Sequence, residues 1–133
     1  MTQENVELVR RWAQAFNERD MKTLDDLTGP DFEFVPYLAT LMEATVYRGH
    51  DGLREYFADA DAAWETIHVR LGEIREVDDR TLSTGVLHGT GRASGLEVRV
   101  PLAWVGESRE GRVVRLETYA SMEAALEAVG LAE

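Results

Sequence analysis

Glu97-Val98-Arg99-Val100-Pro101-Leu102-Ala103-Trp104-Val105-Gly106 decides the reading of the fold. Side chains alternate across a strand, so Val98, Val100, Leu102 and Trp104 share one face, and Pro101, Ala103 and Val105 share the other. Both faces are apolar in the middle, so each needs a cover. The segment belongs to a run of strand-like stretches, about 81–90, 97–106 and 112–120, preceded by a stretch opening at Ile67. Gly91-Arg92-Ala93-Ser94-Gly95 and Arg109-Glu110-Gly111 supply two hairpin connections. Ile67, Val69 and Leu71 alternate, and Ile74 carries the opposite phase after Gly72. A glycine where the phase slips predicts a bulge that bends the strand.

Upstream the period becomes helical. Leu8, Val9, Trp12, Ala13 and Phe16 fall on one face of a helix over about 4–17. Asp20 is placed to cap a short second helix through Leu24 and Leu27, which Thr28-Gly29-Pro30 ends. Phe32 to Tyr37 reads as a strand that Pro36 confines to an edge or terminates. Residues 38–45 have no clear pattern; Leu38, Leu41 and Met42 suit a lid-like turn over a core. Asp51 is read as the cap of a third helix whose stripe is Leu53, Tyr56, Phe57, Ala60 and Trp64. A last short helix, Met122 to Leu131, closes near Gly130.

Helices first and a meander of strands after them predict an α+β fold. The expected architecture is three helices from the N-terminal half packed on a curved antiparallel sheet, forming a cone with a pocket. One domain over residues 1–133 suffices, because a chain of 133 residues can bury a core without staples. Three helices cover one sheet face only. The other is therefore expected to pair with a second copy, giving a homodimer through Val98, Val100, Leu102 and Trp104.

Composition narrows the chemistry. With no cysteine there are no disulfides, thiolate nucleophiles or cysteine-held metals. A net charge of −11, from 14 basic and 25 acidic residues, disfavours nucleic acid and anionic lipid as partners. The polar start Met1-Thr2-Gln3-Glu4-Asn5 resembles no export signal, and no apolar run reaches the roughly 20 residues of a membrane span. A cytoplasmic location is the expectation. Three histidines (His50, His68, His88) without chelating spacing give no metal site, and no phosphate-cradling loop or other cofactor signature is present. His50 is read as a turn residue and His68 as exposed.

Three stretches carry a resemblance: Val9-Arg10-Arg11-Trp12-Ala13-Gln14-Ala15-Phe16-Asn17-Glu18-Arg19-Asp20, Tyr47-Arg48-Gly49-His50-Asp51-Gly52-Leu53-Arg54-Glu55-Tyr56-Phe57 and Glu110-Gly111-Arg112-Val113-Val114-Arg115-Leu116-Glu117-Thr118-Tyr119. In that order they resemble the SnoaL-like group of the nuclear-transport-factor-2-like superfamily, of cystatin-like α+β fold. The resemblance implies a cone-shaped fold with a pocket at its wide end and a dimer. Members include ketosteroid isomerases, polyketide cyclases and epoxide hydrolases, and others bind without known catalysis, so the fold does not give the function. Aligned with the ketosteroid isomerases, the hydrogen-bonding tyrosine falls on Trp12, the carboxylate base on Val35 and the oxyanion acid on Ala103. Aligned with the polyketide cyclases, the acid–base aspartate falls on Thr118. None of these four residues can shuttle a proton near neutral pH, and the Asp-Arg-Asp set of the epoxide hydrolases is not recognisable.

The pocket expected from this mapping comprises Trp12, Phe16, Val35, Tyr37, Tyr56, Val86, Ala103, Leu116 and Thr118. Alternation from Val35 and Ala103 adds Glu33, Glu97 and Arg99. His88, Glu97 and Arg99 are the sharpest catalytic set: a glutamate to charge the imidazole and an arginine to hold an oxyanion. The competing reading makes Glu97 and Arg99 solvated residues at a strand start. Leu116 and Thr118 are expected to face inward from the last strand in place of Arg115 and Glu117. Two functions stay open. One is a protein of unassigned activity that binds a small apolar molecule. The alternative is a cofactor-independent isomerase, cyclase or hydratase acting on a polyketide-, steroid- or terpene-like substrate.

Overall fold

The computed structural model describes residues 2–37 and 45–130. The lid-like turn expected at Leu38, Leu41 and Met42 lies outside them. The elements run α1 (Thr2–Glu18), α2 (Met21–Leu27), β1 (Thr28–Val35), β2 (Tyr47–Arg48), α3 (Gly49–Ala63), β3 (Trp64–Val77), β4 (Arg80–Gly91), β5 (Glu97–Arg109), β6 (Arg112–Tyr119) and α4 (Met122–Ala128). This is the expected α+β class: four helices on one six-stranded sheet that does not close.

The strand order is β2-β1-β6-β5-β4-β3. β3 through β6 form the antiparallel meander. The sheet is mixed and not wholly antiparallel, because β1 runs parallel to β6. The chain reaches β1 through helices and not through a hairpin, so its direction is free of the meander's alternation. At Gly72 the β3–β4 register shifts between Leu71 and Ile74, which is the bulge the sequence phase predicts.

Local chemistry sets the helix ends. Arg19 takes a left-handed backbone (φ 56°) and ends α1, with the Asp20 amide donating to the Ala15 carbonyl at 2.9 Å. Asp20 caps α2: the Thr23 hydroxyl donates to its carboxylate at 2.7 Å and the Thr23 amide at 3.2 Å. Those bonds hold the Asp20 carboxyl below its ordinary pKa, the hydroxyl contributing most. α3 begins earlier than expected, at Gly49 after the extended Arg48, and Asp51 lies in its first turn and does not cap it. Its negative charge there still complements the helix dipole.

α1, α2 and α3 pack on the inner face of the sheet around Trp12, Phe16, Leu24, Phe32, Leu53 and Phe57, all buried. Each such side chain contributes roughly 1.5–3 kcal/mol on burial. A second, smaller core lies on the outer face, where α4 brings Ala125 against Leu82, Ala103 and Val105. β3 is an edge strand, and α1 holds that edge: the Asn17 amide donates to the Val69 carbonyl and accepts from the Val69 N–H, both at 2.8 Å. One side chain thereby replaces a missing strand at one residue.

Replacing Asn17 with alanine leaves the Val69 backbone pair without this partner and is expected to lower stability by about 1–3 kcal/mol in denaturant unfolding. A change below about 0.5 kcal/mol would show that α1 is held to the edge by packing alone.

Candidate functional site

A cavity of about 140 Å³ lies between the helices and the inner face of the sheet. α1 supplies Val9, Trp12, Ala13 and Phe16; α3 supplies Tyr56; Phe34, Pro36 and Tyr37 come from the end of β1 and the residues after it. The strands add Val69 and Leu71 from β3, Ser83 and Leu87 from β4, Leu102 and Trp104 from β5, and Val113, Leu116 and Thr118 from β6. Among the described lining residues there is no Asp, Glu, His, Lys or Arg.

The aromatic side chains form one connected group. Trp12 stacks on Phe16 (5.9 Å between centroids), and Tyr56 meets Phe34 edge-on at 4.8 Å and Tyr47 at 5.4 Å. The Trp12 indole N–H donates to the Thr28 hydroxyl at 2.9 Å in a buried bond, which fixes the indole against β1. Burial pushes the Tyr56 phenol above its ordinary pKa.

Of the nine expected pocket residues, Trp12, Phe16, Tyr37, Tyr56, Leu116 and Thr118 line this cavity. Val35, Val86 and Ala103 do not. Their strands present the opposite phase: Phe34 pairs with Leu116, Ser83 with Trp104, and Trp104 with Thr118, so these residues point inward and their neighbours outward. Val35 and Ala103 are buried on the outer side instead, with Ala103 in the core under α4. The sequence pattern misses Phe34, Ser83, Leu102 and Trp104, whose signal was alternation read in the wrong phase. The shift restores no proton-transfer chemistry, because the inward residues at those places are Phe34, Leu102 and Trp104.

The same phase moves the expected dimer stripe. Leu102 and Trp104 line the cavity, and Val98 and Val100 continue that inner face opposite Gly89 and Leu87. The outer face is covered by α4 at Ala103 and Val105, while Pro101 on the same face stays exposed.

His88, Glu97 and Arg99 are brought onto one face, but the outer one. His88 stands opposite Arg99 on β5 and His68 on β3, while Glu97 stands opposite Thr90. The His68 and His88 rings stack at 4.8 Å and 6°. His88 is held below its ordinary pKa by desolvation first, then by His68, Arg99 and Arg70. Its neighbours are therefore a second imidazole and two arginines and not the glutamate expected to charge it, and the set lies away from the cavity. Glu33 likewise lies outside, paired with Arg48 and Arg115, and Arg115 also donates to Glu117 at 2.7 Å. His50 is tied into the fold: its Nε2 lies 2.9 Å from the Thr28 carbonyl oxygen. Among the described residues no three His, Cys, Asp or Glu side chains are grouped to hold a metal ion, and no helix is long and apolar enough to cross a membrane.

The model of the SnoaL-like domain matches residues 9–116. The chain belongs to the SnoaL-like family. Solved structures share the fold at low identity. An NTF2-like protein of unknown function from Burkholderia pseudomallei K96243 superposes with a TM-score of 0.77 at 18% identity, covering 93% of this chain and 95% of that one. TerC, co-crystallised with polyporic acid, gives 0.77 at 20% identity over 96% and 98% of the two chains. A protein of ketosteroid isomerase-like fold from Catenulispora acidiphila DSM 44928, in complex with trimethylamine, gives 0.74 at 22% over 94% and 93%. No curated protein matches the chain by sequence.

Tyr47, edge-on to Tyr56, donates to Asp59 at 2.7 Å, joining β2 to α3. Burial and that carboxylate push its phenol from 10.0 up to about 12. The unfolded chain thus ionises first, and stability falls as pH rises from about 10 to about 12. Tyr47→Phe is expected to flatten the stability profile in that window when unfolding is followed in denaturant at a series of alkaline pH values. An unchanged slope would assign the alkaline loss to other groups.

Proposed function

We propose that this SnoaL-like chain binds a small, mainly apolar molecule in the cavity, whose described wall supplies no carboxylate or imidazole to catalyse its conversion. The observation that carries this reading is the wall itself, with mostly aromatic and aliphatic side chains from seven of the strands and helices and no Asp, Glu, His, Lys or Arg among the described lining residues. General acid–base chemistry needs a group that exchanges a proton near the working pH, and a serine, a threonine or an ordinary phenol does not do so unaided. Apolar concave sites with a few polar groups are the usual form of small-molecule sites.

The volume supports a ligand of modest size. About 140 Å³ is close to the ~150 Å³ apolar cavity that accepts benzene, so one ring fits wholly inside and a larger skeleton would extend toward the opening. Small organic molecules in the TerC and Catenulispora structures are consistent with such use of the fold, though at this identity they bear on those proteins first.

Titration with naphthalene, anthraquinone and camphor, read by thermal unfolding, tests this. A probe in excess of its Kd is expected to raise the unfolding temperature by several degrees, since saturation at a hundredfold excess stabilises by about 2.7 kcal/mol. Ala13→Phe, which places a ring in the cavity, should abolish the shift while leaving the fold intact. No shift with any probe, or an equal shift in the Ala13→Phe variant, would contradict the proposal.

A further inference from the structure

The polar groups on the cavity wall are few enough to account for singly. The Trp12 indole N–H is spent on Thr28. Tyr37 and Thr118 have interaction partners. Tyr56, Ser83 and Trp104 also line the cavity, and among the described residues neither of the two hydroxyls nor the Trp104 indole N–H has a hydrogen-bond partner.

We infer that the ligand is a neutral, ring-bearing molecule with a single strong hydrogen-bond acceptor, such as a ketone oxygen, and that Tyr56 is the residue that selects for it. The inference rests on the cavity being the binding site. Neutrality follows from the wall: a carboxylate or phosphate would be desolvated with no described cation to pair with. The acceptor follows from Tyr56, a half-buried cavity-wall phenol whose hydroxyl has no partner among the described residues and gains by finding one in the ligand.

Tyr56 is better placed than Ser83 to discriminate. Its ring is held by Phe34 at 4.8 Å, Tyr47 at 5.4 Å, Phe57 at 5.9 Å and Phe16 at 6.1 Å, so little rotamer freedom is lost when it donates. A serine hydroxyl turns freely about its single torsion and is a weaker fixed point. A phenol is protonated, hence a donor, throughout the neutral range, and burial shifts Tyr56 further in that direction.

Indane and indanone form a matched probe pair, of nearly the same size and differing by the carbonyl oxygen. The wild-type chain is expected to bind indanone about fivefold to tenfold more tightly than indane by calorimetry or tryptophan fluorescence, the range for one hydrogen bond in a dry site. Tyr56→Phe should abolish the preference while its affinity for indane stays within about twofold, which reports an intact cavity. Ser83→Ala should retain the preference. Equal binding of the two probes by the wild type, or a preference that persists in Tyr56→Phe, would overturn the inference and leave the cavity reading standing. No binding of either probe would overturn both.

Discussion

The alternation of β5 is the constraint on which the rest of the structure depends. Leu102 and Trp104 face the helices, and Ala103 and Val105 face α4. Because strand side chains repeat every two residues, a slip of one residue exchanges these sets and carries β4 and β6 with them through the ladder. Size matching secures the phase. The large indole and the leucine fill the wide space under α1 and α3, where Trp12 and Phe34 meet them. The small alanine and valine suit the close approach of a two-turn helix carrying Ala125.

From that phase the cavity's character follows. Every ionisable side chain on the strands that was a candidate for chemistry is sent outward: Glu33 to Arg48 and Arg115, and His88 and Arg99 to the open row with His68. Among the described lining residues the side-chain polar atoms are hydroxyls and the indole N–H groups of Trp104 and of Trp12, the latter bonded to Thr28. The fold thus separates charge from hollow by backbone parity alone, and the binding function proposed for it is a consequence of that parity.

Much of this was legible in the sequence, and the part that was not has a definite physical cause. Helical spacing placed Trp12, Phe16 and Tyr56 on the inner wall, the phase slip at Gly72 marked the bulge, and Asp20 was readable as a cap. The phases of β1 and β5 were not readable, because Val35 and Ala103 are as apolar as Phe34 and Leu102 and both sets are buried. Periodicity finds a face only when the other face is polar. The sequence reading also assigned no helix of this chain to the second face, where α4, a seven-residue helix after the last strand, covers Leu82, Ala103 and Val105. The parallel β1–β6 pairing had no local signal, since it joins residues about 80 apart, such as Glu33 and Arg115.

Pressurising crystals of the chain with xenon tests the central claim most directly, because xenon enters dry apolar cavities and is excluded from hydrated ones. The account predicts one strong site bounded by Trp12, Phe34, Leu102, Trp104 and Leu116. Ordered waters filling that space in place of xenon, or Ala103 and Val35 found at its wall, would contradict it.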